Sequence, residues 1–309
     1  MALSTVAVTG VSSFTGFWIC RAFLAAGWNV HGLCSRPKTT YSGLKVLRLS
    51  ELGKHIPLHF ELLAQEGTLS SWIRDHRPGI WVHHHHFMDN YRSPHYDLSS
   101  ALLVGIQPLP ELLASLKTVD CSGIIYSGTY FEPEEGGQVV GAPITPYAQS
   151  KYEVWNALRL GATEIDLRCS KVVMANPIGP LENDDRLIPQ LLRAAKAQQS
   201  FHLSFPENIA DNIPVTTLAE FYVKIAGKLI NGSSEIVRPS GWVGTNGDWV
   251  AQINEQLVQE RLGYPPCTIT TPSTKSSAPE NFTNPRHEQV AINWNDAWDR
   301  YALWLRGLG

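Results

Sequence analysis

Tyr147 and Lys151 stand four residues apart in the stretch Pro146-Tyr147-Ala148-Gln149-Ser150-Lys151. On a helix that spacing puts both side chains on one face, one turn apart. An ammonium held beside a phenol favours the phenolate and pulls its pKa down, which suits Tyr147 to proton transfer near neutral pH. The same ammonium can grip a ribose hydroxyl. Thr129, at the end of the apolar run GIIYSGT, offers a hydroxyl to a substrate carbonyl or alcohol. Together the three side chains suit proton transfer at a substrate carbonyl or hydroxyl oxygen.

These residues need a strand that ends near Thr129 and a helix that starts near Tyr147. Residues 123–127 read as that strand and 147–160 as that helix. Upstream, Val6-Ala7-Val8 is a short buried strand, broken at Thr9-Gly10 and followed by a helical run from Phe14. Gly10 allows a tight turn and Gly16 close packing of helix on strand. Phe14 and Thr15 open a helix whose free N–H groups suit a pyrophosphate. Ser13 stands where the usual glycine fingerprint has its middle glycine.

Asn29–Cys34 reads as the second strand, followed by Ser35-Arg36-Pro37-Lys38 with no carboxylate. An acidic residue there would accept from a ribose 2′-hydroxyl, whereas an arginine suits a 2′-phosphate. Ser35 and Arg36 therefore point to NADP(H), with NAD as the alternative. Residues 58–63 read as a third strand, 69–76 as a helix and 79–83 as a fourth strand. That strand runs into His83-His84-His85-His86. Successive strand side chains alternate between faces, so these four imidazoles cannot converge on one ion. The expectation is no metal there, with His84 and His85 walling the adenine ribose and pyrophosphate.

Residues 98–117 read as a helix kinked or divided by Pro108 and Pro110. In the second half, helices are expected at 186–198, 215–229, 248–257 and 294–305, with a strand at 235–237 and a loop or lid at 265–285. The stripe Trp294, Trp298, Trp304 reads as core. The 309 residues carry a formal net charge of −3, with a pI near 6.4. That argues against a dedicated nucleic-acid or anionic-membrane surface. Five scattered cysteines suit reduced thiols in a cytoplasmic protein. No run is expected to reach membrane-spanning length.

The motifs TGVSSFTG, VHHHHF, YSGT, PYAQSK, LRCSKVVMANPIGP and DNIPVTTLAEF follow one another in that order. In them the chain resembles the extended short-chain dehydrogenase/reductase superfamily, in its NAD-dependent epimerase/dehydratase branch. The resemblance implies an α/β fold, a doubly wound parallel Rossmann sheet with a smaller C-terminal substrate lobe. Residues 1–175, joined by parts of 210–240, would bind the dinucleotide, and 176–309 would form most of the lobe. It also implies Tyr147 as general acid/base and Lys151 as its pKa partner and ribose ligand. Thr129, in place of the usual serine, would polarise the reacting oxygen. Asn176 would contact the diphosphate or sugar, and Tyr130 would lie on the substrate side.

Three departures qualify the transfer. Gly105 stands where an asparagine is common, and Ala210 where an arginine often binds a nucleotide phosphate. Tyr130 and Phe131 stand where dehydratases carry an acid pair, which disfavours dehydration. The expectation is an NADP(H)-dependent reductase of a nucleotide-linked 4-keto sugar. The alternatives are a 4-epimerase with a retained cofactor, a carbonyl reductase of a non-nucleotide metabolite, and a non-catalytic NADP-binding sensor. A homodimer through helices 98–117 and 147–160 is expected.

Overall fold

The computed structural model describes residues 4–62, 67–133, 135, 145–272, 280–284 and 286–307. The first half runs β1 (Thr5–Thr9), α1 (Phe14–Ala25), β2 (Asn29–Cys34), α2 (Leu44–Gly53), β3 (Leu58–Phe60), α3 (Thr68–His76) and β4 (Ile80–His83). Next come α4 (Leu98–Ile106), α5 (Leu109–Thr118), β5 (Gly123–Thr129), α6 (Pro146–Glu164), β6 (Cys169–Met174), β7 (Asn176–Ile178), α7 (Leu187–Lys196), β8 (Phe201–His202) and β9 (Ile209–Pro214). The remainder comprises α8 (Val215–Ile230), β10 (Ile236–Val237), β11 (Pro239–Ser240), β12 (Trp242–Thr245), α9 (Asn246–Ile253), β13 (Ile269–Thr270), β14 (Asn281–Phe282), β15 (Glu288–Gln289) and α10 (Trp294–Leu305).

Seven parallel strands form the main sheet in the order β10-β6-β5-β4-β1-β2-β3. Strand order reverses between β1 and β4, so a crevice opens above their carboxyl ends. Alternation divides β1 between two cores. Val6 and Val8 pack with α1 and α8 on one face, and Ala7 packs with α3, α5 and α6 on the other. Burial on both faces is why β1 reads as an unbroken apolar run. A third core joins α7, α9 and α10, with Trp249 and Trp298 at its centre. There the tryptophans of the last helix do pack as core.

Several local expectations change. Strand β3 stops at Phe60 because Glu61 turns into the left-handed region (φ 63°); Leu63 lies outside the described residues. Helix α2 is an addition to the expected elements, and it buries Leu49 and Leu52. The expected lid at 265–285 contains β13 and β14, and its residues 273–279 and 285 lie outside the described residues.

By length and hydropathy the stretch Leu98–Thr118 is long and apolar enough to cross a membrane, contrary to expectation. Pro108 caps α5 and ends the α4 run, since a proline cannot continue the hydrogen-bond ladder. Leu109, Leu112, Leu113 and Leu116 are buried in the core beside the sheet, whereas Leu103 and Val104 of α4 are exposed. Gly105 has a packing role: a Cβ there would collide with Val154 of α6. An asparagine would therefore push these helices apart.

Candidate active site

Gly10 ends β1 with φ +71°, and a Cβ on it would lie 3.1 Å from the His85 backbone. Both the conformation and the close approach require glycine. A Cβ on Gly16 would run into the carbonyl of Gly10. Ser13 caps α1, its Oγ accepting from Gly16 N at 3.0 Å. The first-turn N–H groups of Phe14 and Thr15 have no acceptor within their own helix. They face a cleft of about 1420 Å³ that extends from Ser35 and Arg36, past Gly10 and Thr15, to Tyr147, Lys151, Asn176 and Arg186.

The histidine run forms part of one wall. Thr9 Oγ1 donates to Val82 O and accepts from the N–H groups of both His84 and His85, at 2.9 Å each. The His83 ring stacks on Tyr126, and His86 Nε2 lies 2.8 Å from Ser150 Oγ. The His84 ring bridges Ser13 Oγ (3.0 Å) and Ser127 Oγ (2.8 Å), and Ser127 continues to the Tyr222 hydroxyl. His84 lines the cleft, and its ring nitrogens also tie the glycine turn to β5. His85 lines the cleft. Burial, with Lys151 nearby, lowers His84 to about 3 and His85 to about 4, so both rings are neutral at pH 7.

Thr145 caps α6 by accepting from Ala148 N, and this sets Tyr147 and Lys151 on the cleft side. The Tyr147 ring sits among His86 (5.6 Å), Tyr91 (5.3 Å) and Tyr96 (6.0 Å). Lys151 is buried; its Nζ donates to Ser127 O at 2.6 Å and lies 5.0 Å from the Tyr126 ring centroid. Burial lowers Lys151 to about 8, with Glu132 opposing. Burial, aided by Tyr91, Glu132 and Tyr96, pushes the Tyr147 phenol upward. The four-residue spacing of Tyr147 and Lys151 predicts the opposite shift. Lys151's ammonium is directed at the end of β5, so desolvation dominates at Tyr147 and the phenol holds its proton at neutral pH.

Thr129 closes β5, its N–H donating to Glu132 Oε1 at 2.7 Å. Glu132 is buried and paired with Lys171 Nζ at 2.5 Å; Lys171 also meets Glu135, which Arg238 and Asn284 hold in turn. Tyr130 is buried, stacked on Phe131 at 4.3 Å, and lines the cleft. Asn176 donates to Asn212 Oδ1 and accepts from Arg186 Nη2. Arg36, exposed at the cleft rim, pairs with Asp89 at 3.1 Å.

The glycine cradle that any Cβ would fill, the open helix terminus and the elongated cleft fit a nicotinamide dinucleotide. The NAD-dependent epimerase/dehydratase family matches residues 6–229. The chain belongs to that family. As a member of the extended short-chain dehydrogenase group it is an NAD(P)-dependent enzyme. Solved structures show the same fold over the whole length. UDP-N-acetylglucosamine 4-epimerase from Methanobrevibacter ruminantium M1, crystallised with UDP-N-acetylmuramic acid, is 16% identical, with TM-score 0.76 and 100% of each chain covered. UDP-glucuronic acid 4-epimerase from Bacillus cereus, crystallised with UDP-glucuronic acid and NAD, is 15% identical with TM-score 0.74, covering 99% of this chain and 100% of that one. UDP-glucose 4-epimerase from Thermotoga maritima, with UDP-glucose, is 15% identical with TM-score 0.70, covering 98% and 99%. No curated protein matches the sequence.

In this epimerase/dehydratase-family enzyme, Arg48, Arg92 and Arg186 also line the cleft, beyond the expected site residues. Arg48, buried in α2, donates to Ser12 O, Leu181 O and Asn183 Oδ1. Arg186 precedes α7, pairs with Glu182 at 3.0 Å and donates to Asn176 and Pro177. The Arg48 and Arg186 guanidinium groups lie 6.0 and 5.9 Å from the Phe14 ring centroid. Arg186 thus brings a cation to the Asn176 end of the cleft although position 210 holds alanine. A basic residue ten positions past Asn176, at a helix start, was the available signal.

Proposed function

We propose that the enzyme is a 4-epimerase of a sugar nucleotide, oxidising and re-reducing one carbon while its dinucleotide stays bound. The observation that carries this reading is the single cleft joining the glycine turn, Tyr147 with Lys151, and the cationic Asn176–Arg186 end. The full-length likeness to 4-epimerases supports the epimerase over the net reductase.

Gly10, Ser13, Phe14, Thr15 and Gly16 hold the pyrophosphate, His84 and His85 wall it, and Ser35 and Arg36 take the adenosine end. Lys151 holds the nicotinamide ribose. The dinucleotide supplies the hydride acceptor and donor. Tyr147 exchanges a proton with the sugar oxygen, and Thr129 hydrogen-bonds that same oxygen. Re-reduction needs the protonated phenol that burial favours. Oxidation needs phenolate, which the Lys151 ammonium stabilises when it turns from Ser127 O. Tyr130 packs beside the sugar, and Asn176 with Arg186 binds the diphosphate.

A panel of UDP-hexoses incubated with the enzyme should yield C4 epimers without net change in nicotinamide absorbance. Stoichiometric loss of NADPH on a 4-keto sugar nucleotide would instead identify the reductase. That second reading draws on Arg36 at the tip of β2, since no carboxylate follows the strand. The exposed Arg36–Asp89 pair is worth little, so Arg36 is free to meet a 2′-phosphate. Arg36→Ala should weaken NADP binding by roughly tenfold or more, as expected for a charged hydrogen bond, and leave NAD binding unchanged. Titration with both dinucleotides checks this; a wild-type preference for NAD contradicts it.

The same reading includes a homodimer through α4 and α6, where Leu103 is 61% and Leu160 55% exposed. Light scattering should give twice the chain mass for the wild type and one chain mass for Leu103→Glu. A monomeric wild type at micromolar concentration contradicts the dimer.

A further inference from the structure

A second cluster of titratable groups lies outside the cleft, at the β3 edge of the sheet. Parallel pairing sets Leu33 of β2 opposite His59 of β3. Alternation puts His31, two residues before Leu33, on the same sheet face. Helix α3 covers that face, with Trp72 buried and His76 one turn further on. The ring centroids of His31, His59 and His76 lie 4.9 to 5.3 Å apart. One ligand nitrogen from each falls within 4.8 Å of the other two. His31 Nδ1 and His59 Nε2 are already 3.1 Å apart. A tetrahedral zinc ion with Zn–N bonds of about 2.0–2.1 Å needs its nitrogens roughly 3.3 Å apart. Small side-chain rotations close the difference.

The surroundings orient these rings as ligands. His76 Nδ1 lies 2.9 Å from Trp72 O, so it carries the proton and leaves the Nε2 lone pair free. A backbone carbonyl behind a ligating imidazole is a common device for fixing its tautomer. Trp72 also stacks on His76 at 4.4 Å, with the planes 10° apart. His31 Nε2 meets the Asn29 amide at 3.4 Å, and the same amide meets Thr5 Oγ1 at 3.1 Å. With the amide turned over, Asn29 Oδ1 accepts from both and His31 Nδ1 is freed for a metal.

We propose that His31, His59 and His76 form a binding site for Zn²⁺, with solvent as the fourth ligand. Three imidazoles without thiolate or carboxylate favour zinc, copper or nickel over magnesium or calcium. The ion clips β3, an edge strand of three residues, to β2 and α3. None of the three histidines lines the cleft, so the site stands or falls independently of the proposed catalysis.

The test uses the untagged full chain, stripped with chelator and dialysed against graded Zn²⁺. One equivalent should bind the wild type and raise its melting temperature. His76→Gln, a substitution at a half-exposed helix end, should fold, bind Zn²⁺ roughly tenfold or more weakly, and lose the thermal shift. Co²⁺ should give the visible bands of a four-coordinate site in the wild type only. Absence of stoichiometric uptake overturns the proposal. So does uptake that His76→Gln and His59→Ala leave unchanged, because the ion then sits elsewhere.

Discussion

Replacing Tyr147 with phenylalanine is expected to lower turnover by about 10²–10⁴-fold, the span attributed to one positioned acid/base. The substitution removes only a hydroxyl. The ring's contacts with His86, Tyr91 and Tyr96 are retained, so the fold and melting temperature should hold. Dinucleotide affinity should also change little, since Lys151 takes its orientation from Ser127 O. Steady-state rates with parallel dinucleotide titrations separate these quantities. Near-normal turnover in Tyr147→Phe would remove the phenol from the proton path.

Lys171→Met is expected to destabilise the fold by about 3–5 kcal/mol, the cost of leaving a buried charge without its partner. Lys171 is the cation paired with the fully buried Glu132 and also contacts Glu135. Arg238 still holds Glu135 in the variant, so the loss concentrates on Glu132. Burial already raises the Glu132 pKa against the pull of Lys171, and without the lysine it rises further. A carboxyl whose folded pKa lies above its unfolded value contributes stability at low pH and loses it as pH rises through the folded value. The deficit of Lys171→Met should therefore shrink on acidification from neutral pH, and Lys171→Met combined with Glu132→Gln should recover much of it. Urea midpoints across pH test this, and a deficit under about 1 kcal/mol would contradict the buried-pair argument. Turnover should fall too, because Glu132 holds the Thr129 backbone.

Legibility in the sequence followed the range of the interactions. The β1–α1 turn was readable because Gly10 and Gly16 answer local backbone demands. Tyr147 and Lys151 were readable because four-residue spacing fixes their common face. The direction of the Lys151 ammonium was not, since it depends on the Ser127 carbonyl on another element. Burial, and not that ammonium, therefore governs the Tyr147 proton. The position of His84 just past β4 is local, but its bonds to Ser13 and Ser127 depend on how three elements dock. Arg186 compensates at the Asn176 end for the missing arginine at 210 through tertiary proximity, which no linear spacing records. His31, His59 and His76 likewise meet only after β2, β3 and α3 pack together.

The sugar nucleotide that turns over fastest, deuterated at C4 and incubated in ordinary water, tests the central claim most directly. If one carbon is oxidised and re-reduced inside the cleft, the epimer keeps its deuterium at C4 because the same hydride returns. Exchange of that deuterium for solvent hydrogen would contradict the account.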